Sequence, residues 1–355
     1  MTFPRFFLSL IVVIILIQGY RISQDANIFR TVEPIAYGTC EQVPAPPGAE
    51  DITIDQAIGL AYIGADDRRA YLVTGDVADT PNGGLWSLDL SKPNSQVTAL
   101  EYEIDGPFHP HGIALYQQGE INELYVINHL TPTQHEVDVF TIESPTKLKL
   151  RARHTSEQMI SPNDLTVIAQ DQFLFTNDHG NPRHTVMEKL EDYLGLPLGS
   201  VVYYDGTEDH IVAKGLRYPN GITLSPEGDA FYVAETTGGK IKKFVKGESS
   251  FNWLESSNID LNSGLDNLEW DQQGKLLTAA HSRLFDFQAH MNDPSNLSPS
   301  EVIQIDVSGE HMGATTLLLD LGDGISGSSV AAIHNKTLVV GPVFEKHVLR
   351  CAPKS

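Results

Sequence analysis

The sequence predicts an all-β chain, a six-bladed β-propeller with a few capping helices and an N-terminal signal or anchor helix. The first observation behind this is a repeated hairpin. Pro219–Glu235, PNGITLSPEGDAFYVAE, reads as a strand (Ile222, Leu224), a tight turn on Pro226–Gly228 and a second strand (Phe231, Val233). Short alternating apolar runs separated by turn residues are the mark of such a unit. Copies start at His111, Asn163, Asp266 and Ser328, with a weaker one at Ile58. The apolar residues opening the six modules are Leu60, Ile113, Leu165, Ile222, Leu268 and Val330. Their spacing, roughly 46–62 residues, lies in the range of propeller blades.

The second observation is what stands at the head of each module: His111, Asn163–Asp164, Asn220, Asp266–Asn267 and Ser328. Equivalent positions of successive blades surround one central channel. Each residue alone is an ordinary turn former, but in register they bring amide and carboxylate oxygens to one place. Oxygen-rich, sulfur-free clusters suit calcium. The third observation is that the chain has two cysteines, Cys40 and Cys351, one near each end. Joined, they would clasp the first and last blades, and the chain-entropy model gives roughly 5–6 kcal/mol for so long a loop. The other reading is two unrelated buried thiols, because a disulfide needs an oxidising compartment.

With 355 residues the chain can bury a large core as one propeller domain. We divide it into residues 1–20, a signal sequence or retained hydrophobic anchor; 21–49, a lead; and 50–355, the propeller. A net charge of −22 argues against a nucleic-acid partner. Arg5 followed by the apolar run Phe6–Ile17 fits a secretory segment and is short for a membrane span. Ile17 and Gly19 make a poor cleavage site, so retention of the segment stays open. Secretion, with or without membrane association through this segment, is the expected location.

After the lead, Glu50–Asp51 precedes the first blade. Neighbours on an extended strand point oppositely, so such a pair can serve two sites. Phe108-His109-Pro110-His111 contains a His-x-His pair, a weak zinc signal because a third nitrogen ligand is lacking. His111 with His129 could instead act as a general base. From His184, HTVMEKLEDYLGL changes to a helical period, with Thr185-x-x-Glu188 as a capping box. That helix is either packing or a lid. Asn335-Lys336-Thr337, in the turn of the last module, is a glycosylation sequon. The chain has neither a Gly-x-Ser-x-Gly elbow nor a phosphate loop.

These residues together resemble the paraoxonase/arylesterase family of calcium-dependent lactonases. The likeness runs over nearly the whole chain: the N-terminal apolar segment, Glu50-Asp51, Pro110–Ile113 (PHGI), Asn128-His129, Asn163-Asp164, Thr176–His179 (TNDH), Asn220–Ile222 (NGI), Asp266-Asn267 and the terminal cysteines. The resemblance implies two calcium ions. One would be catalytic, on Glu50, Asn163, Asn220, Asp266 and Asn267. The other would be structural, on Asp51, the Ile113 carbonyl and Asp164. It also implies a His111–His129 dyad, a Cys40–Cys351 disulfide, and a small lactone or ester as substrate, with lipoprotein or membrane association through the N-terminal segment left open.

Two departures stand out. Ala280 replaces a cysteine common in the family, and Glu345 replaces a pocket histidine. Together with the divergent Asp66–Tyr71 loop, Glu345 leaves substrate preference open. The expected activity is hydrolysis of lactones and aryl esters by an activated water. The alternative is a binding module in which calcium is purely structural.

Overall fold

The computed structural model of the chain describes residues 3–353 except residues 76, 184, 250 and 310. Six four-stranded antiparallel sheets stand around one axis. Blades 1 to 5 follow the chain from inner to outer strand, their inner strands being Ala49–Asp55, Pro110–Gln118, Pro162–Ala169, Pro219–Leu224 and Gly264–Trp270. Blade 6 begins with Ser328–His334, and its outermost strand is Gly38–Pro44 from the other end of the chain. Part of the lead segment therefore belongs to the propeller body, inside the boundary set at residue 50. Blade 1 also shows a shift. Leu60 lies on its second strand, and the residue equivalent to Ile113 or Ile222 is Ile52. The apolar alternation of this strand is short, Ile52 and Ile54 only, and it follows the acidic pair Glu50–Asp51.

Strand alternation explains how the ring holds together. Successive side chains of a strand point to opposite faces, so each blade packs on both neighbours. Six apolar clusters result, each between two adjacent blades; Ile113, Leu124 and Phe140 of blade 2 meet Tyr62 and Leu85 of blade 1, for instance. On the other face of blade 2, Tyr125 and Val137 meet Phe173 and Phe175 of blade 3. The last cluster, between blades 5 and 6, contains Cys351. That residue pairs in register with Cys40, and the two form a disulfide across 311 residues of chain. The bond ties the strand contributed by the N-terminal side to the rest of blade 6.

One irregularity recurs in all six blades. A register shift follows the first pair of each inner strand, or the second in blade 5, at Ala49/Asp51, Pro110/Ile113, Pro162/Leu165, Pro219/Ile222, Leu265/Leu268 and Ser328/Val330. A bulge leaves residues off the ladder and re-aims their side chains. The residues it frees are Glu50, His111, Asn163–Asp164, Asn220, Asp266–Asn267 and Ser329. Glycine follows His111 and Asn220 because the next blade passes close by. A Cβ on Gly112 would lie 2.6 Å from the Asp164 Cα, and one on Gly221 would lie 2.6 Å from the Asp266 carbonyl oxygen.

Four helices decorate the sheets: α1 (Phe3–Asp25), α2 (Arg68–Thr74), α3 (Val186–Leu194) and α4 (Leu284–Asn292). The α3 helix starts as its sequence indicates, with the Thr185 hydroxyl accepting from the Glu188 amide at 3.1 Å; His184 lies outside the described residues. By length and composition α1 is able to cross a membrane over Leu8–Asp25. It is longer than the apolar run Phe6–Ile17 because the helix continues through Gln18–Asp25. Its other end is tied to the propeller by an amide from Leu284 to the Ala26 carbonyl at 3.1 Å, and by Asp25 paired with Arg217.

Breaking the ring closure should be costly. Cys40→Ser is expected to lower unfolding stability by about 2–5 kcal/mol, read by denaturant unfolding of the purified protein. Non-reducing peptide mapping of the wild type should recover one crosslinked pair. An unchanged transition midpoint would show that blade 6 holds itself shut without the bond.

Candidate functional site

The bulged residues meet at one end of the axis, on the floor of a cavity of about 580 Å³. Glu50, His111, His129, Asn163, Asn220 and Asp266 all line it. Glu50 is buried and fully engaged. Its carboxylate accepts from the Ser329 hydroxyl at 2.9 Å, the Asn267 amide at 3.3 Å and the Arg68 guanidinium at 3.1 Å. Burial alone would raise its pKa, but the His111 imidazole, Arg68 and the Ser329 hydroxyl outweigh that and hold it well below the usual range. It is a permanent anion.

Three amide oxygens and one carboxylate oxygen beside it are in the opposite condition. The Oδ1 atoms of Asn163, Asn220, Asp266 and Asn267 are all buried and accept no hydrogen bond. Three of these side chains are held by their other polar atom. Asn163 donates to Asp178 at 3.1 Å, Asn267 donates to the Glu50 carbonyl at 3.2 Å, and the other Asp266 oxygen meets His281 at 3.0 Å. A buried acceptor left unsatisfied costs about 1–3 kcal/mol. Four such oxygens beside an anion are candidate donors for a hard cation. Among the described residues no group of three or more His, Cys, Asp or Glu is arranged to hold a metal. The donors present are mainly neutral amides with isolated carboxylates, the oxygen chemistry that calcium takes.

Deeper along the axis, Asp51 and Asp164 link successive blades. Asp51 accepts from the Ile113 amide at 2.6 Å, and Asp164 accepts from the Ile222 amide at 2.8 Å. Ile113 thus reaches Asp51 through its N–H group. Both aspartates are buried and their pKa values are pushed well up. Burial is the main cause, with the charge of Glu50 added for Asp51 and that of Asp51 added for Asp164. Two carboxyls that repel each other in a closed channel gain from a cation between them.

The histidines form a row. His111 Nδ1 lies 2.8 Å from His129 Nε2, and His129 Nδ1 lies 2.8 Å from His135 Nδ1. His111 Nε2 sits 3.5 Å from Glu50. Burial lowers the pKa of all three; for His111 the pull of Glu50 opposes it, while Arg183 lowers His129 and His135 further, the latter to about 4. The row is neutral at pH 7. His109 takes no part. Its Nδ1 faces Asp66 at 3.2 Å, so the two histidines of the His-x-His pair serve different places.

Several site residues carried no sequence signal. Arg68, Arg183, His135 and His281 arrive from loops and neighbouring strands that no repeat register marks, while Ser329 stands one residue past the module head Ser328. Glu345 does not face the cavity; it pairs with His290 at 3.1 Å, while Phe344 beside it lines the wall. Ala280 is fully buried in the cluster between blades 4 and 5. One wall of the cavity is apolar, built from Leu284, Phe285, Phe287, Met291, Val343 and Phe344. Ile22 and Ala26, at and just beyond the end of α1, also line it.

The fold and site define a six-bladed propeller with an oxygen-lined, histidine-flanked cavity on its axis. The chain belongs to the arylesterase family, whose profile matches residues 56–352. It is 30% identical over 338 residues to human serum paraoxonase/arylesterase 1, covering 90% of each chain. It is 29% identical over 335 residues to human serum paraoxonase/lactonase 3, covering 91% of each. Among solved structures it shares its fold with a luciferin-regenerating enzyme (TM-score 0.54, 12% identity, 90% of this chain and 95% of that one). A periplasmic gluconolactonase of Pseudomonas aeruginosa is similar too (TM-score 0.50, 10% identity, 86% and 87%).

Electrostatics also holds α3 over the site. His179 bridges Asp178 at 2.7 Å and Asp192 of α3 at 2.9 Å. Although burial opposes it, the charge of Asp178 and hydrogen bonds to both carboxylates raise His179 to about 10. A raised pKa stabilises the fold fully below the unfolded value of about 6.5, and the effect is lost as pH rises through about 10. The stability advantage of wild type over His179→Gln should therefore be full at pH 6 and shrink steadily toward pH 10. Denaturant titrations at several pH values measure it, and an advantage constant over that range would refute the ion pair.

Proposed function

We propose that this chain is a calcium-dependent hydrolase of lactones and aryl esters. The observation that carries the reading is the group of four buried, unsatisfied oxygens of Asn163, Asn220, Asp266 and Asn267 beside the ionised Glu50. These five residues would hold the catalytic calcium. Asp51, Asp164 and the main chain at Ile113 would hold a structural one. Calcium bound at the five-residue set would supply a Lewis acid that polarises the ester carbonyl.

The chain's own residues do the rest. The apolar wall takes the acyl or aryl part of the substrate and displaces water from it. His111, open to the cavity and backed by His129, removes a proton from the water that attacks the carbonyl carbon. Glu50 is held by three partners and keeps its charge throughout. The attack needs no covalent enzyme intermediate, and the ring oxygen of a lactone leaves as the alcohol of a hydroxy acid.

Location follows from the ends of the chain. We propose secretion, because a disulfide is stable in an oxidising compartment. In α1 the side chains of Leu8, Leu16, Ile17 and Tyr20 are exposed, so α1 serves as a signal or as an anchor to a membrane or lipoprotein surface. Asn335 is exposed in a turn at φ 44°, accessible for glycosylation.

Three substitutions separate chemistry from folding. Asn220→Ala and Asp266→Asn should leave secretion and melting temperature nearly unchanged while lactone and phenyl acetate hydrolysis fall about 100-fold or more. Full activity in Asn220→Ala with calcium bound would move the structural-calcium binding module ahead. Asp164→Asn relieves repulsion in the channel, so it should reduce the thermal stabilisation that wild type gains on adding calcium. A gain equal to that of wild type would remove Asp164 from the structural site.

A further inference from the structure

The end of α1 reaches the cavity but has no part in the chemistry at its floor. Ile22 and Asp25, in the last turn of that helix, line the same cavity as Glu50 and His111, and so does Ala26 just after it. Three contacts hold this turn against the propeller. The Leu284 amide, at the start of α4, donates to the Ala26 carbonyl at 3.1 Å. The Gln18 side-chain amide donates to the carbonyl of Leu194, the last residue of α3, at 3.2 Å. The Arg217 guanidinium donates to the Asp25 carboxylate. Ala26 is buried, whereas Leu8, Leu16 and Ile17 earlier in the helix are exposed. Only the end of α1 is built into the body.

An apolar track joins that end to the floor. The other Asp266 oxygen meets His281 at 3.0 Å, and the His281 ring stacks on Phe287 with centroids 3.7 Å apart. Phe287 and Leu284 are three residues apart on α4 and share a face. Leu284 meets Ala26 through the bond above, and the Ala26 amide donates to the Ile22 carbonyl one turn back at 2.9 Å. Each helical step covers about 5.4 Å. Phe287, Leu284, Ala26 and Ile22 all line the cavity. An acyl chain whose ester carbonyl sits on the floor has a continuous apolar side to follow, and its far end buries Ile22. Arg217 closes that side from outside. A Cβ on Gly195, which ends α3, would lie 2.6 Å from Arg217 Nη2, so the guanidinium spans the ends of α1 and α3.

We propose that the last turn of α1, latched by the Asp25–Arg217 pair, is the outer wall of the substrate cavity and selects for the length of the acyl chain. The proposal rests on the hydrolase reading above for the identity of the substrate, while the wall itself does not depend on it. The segment that serves as signal or anchor thereby has a second role inside the folded enzyme. Ile22 touches the far end of the chain. Arg217 acts through α1 and touches no reacting atom, so it is a positioning residue. The pair is half-exposed, and its loss should loosen the wall without unfolding the propeller.

The test compares phenyl octanoate with phenyl acetate on the purified full-length protein with calcium. The readout is the ratio of their kcat/KM values, which a general loss of structure lowers for both esters and leaves in place. Ile22→Ala should lower the ratio about tenfold, the scale of a half-buried branched side chain, with the loss in KM for the octanoate. Arg217→Asp sets two carboxylates against each other and should lower the ratio about fivefold, the upper range for an exposed ion pair. The exchange Asp25→Arg with Arg217→Asp should restore most of it. The same variants are titrated by calorimetry with octanophenone and acetophenone, ketones of matching length that cannot be hydrolysed. N-terminal sequencing of the purified protein should find a first residue at or before Ile22.

Three results overturn the proposal. One is a wild-type ratio in Ile22→Ala. Another is a lowered ratio in Arg217→Asp that the charge exchange does not restore, which removes the latch. The third is a purified protein that begins after Ile22. If wild type hydrolyses neither ester, the hydrolase reading fails and calorimetry decides the wall: octanophenone should bind wild type about tenfold more tightly than Ile22→Ala, and equal binding overturns it. If Arg217→Asp does not fold, Asp25→Asn takes its place, with a ratio lowered about threefold expected and an unchanged ratio removing the latch.

Discussion

Everything at the centre of this molecule answers one electrostatic problem. Closing six blades into a ring buries Glu50, Asp51, Asp164 and Asp266 in one narrow channel. Isolated anions in such a place are expensive, and a protein meets the cost with hydrogen bonds, opposite charges or protonation. Glu50 is met by Arg68, Ser329 and Asn267. Asp51 and Asp164 receive only main-chain N–H groups, and burial raises both. The axis is therefore sorted into an upper layer, where Glu50 stays ionised beside the cavity, and a lower layer, where burial raises the pKa of both aspartates.

The bulges make that sorting feasible. A regular strand would send alternate side chains into the two neighbouring interblade clusters, with none aimed down the axis. The extra residues at the head of each inner strand break the alternation once and turn polar side chains inward. The apolar alternation resumes at Ile52, Ile113, Leu165, Ile222, Leu268 and Val330, which pack between blades. Site and core are thus built from adjacent residues of the same strands. A substitution at Gly112 or Gly221 would disturb both, because the next blade's main chain occupies the space a side chain would need.

The cavity shows a second division of labour. Its floor comes from the bulges, each flanked by paired strand residues. Its walls come from helices and loops: α2, α4, the Val343–Phe344 turn and the end of α1. These are joined by local contacts such as Arg69 with His290 at 3.0 Å and His290 with Glu345 at 3.1 Å. Glu345 shapes the pocket by holding α4 and placing Phe344, with its own charge turned away. Chemistry belongs to the floor, and substrate fit belongs to the walls.

The repeat carried most of this in the sequence alone. Its period marked the blades, its opening polar residues marked the floor of the site, and two cysteines at opposite ends marked the closure, because each is a local pattern multiplied by six or set by chain ends. Blade 1 was misplaced by one strand where that pattern is weakest. What only the tertiary structure decided are contacts made across long separations by residues with no repeat partner. His135 beside His129, Arg68 on Glu50, and Gly38–Pro44 as the outer strand of blade 6 are of this kind. Sequence spacing records neighbours along a strand. Which loop closes over the axis depends on packing between blades, and that is settled only when the ring is shut.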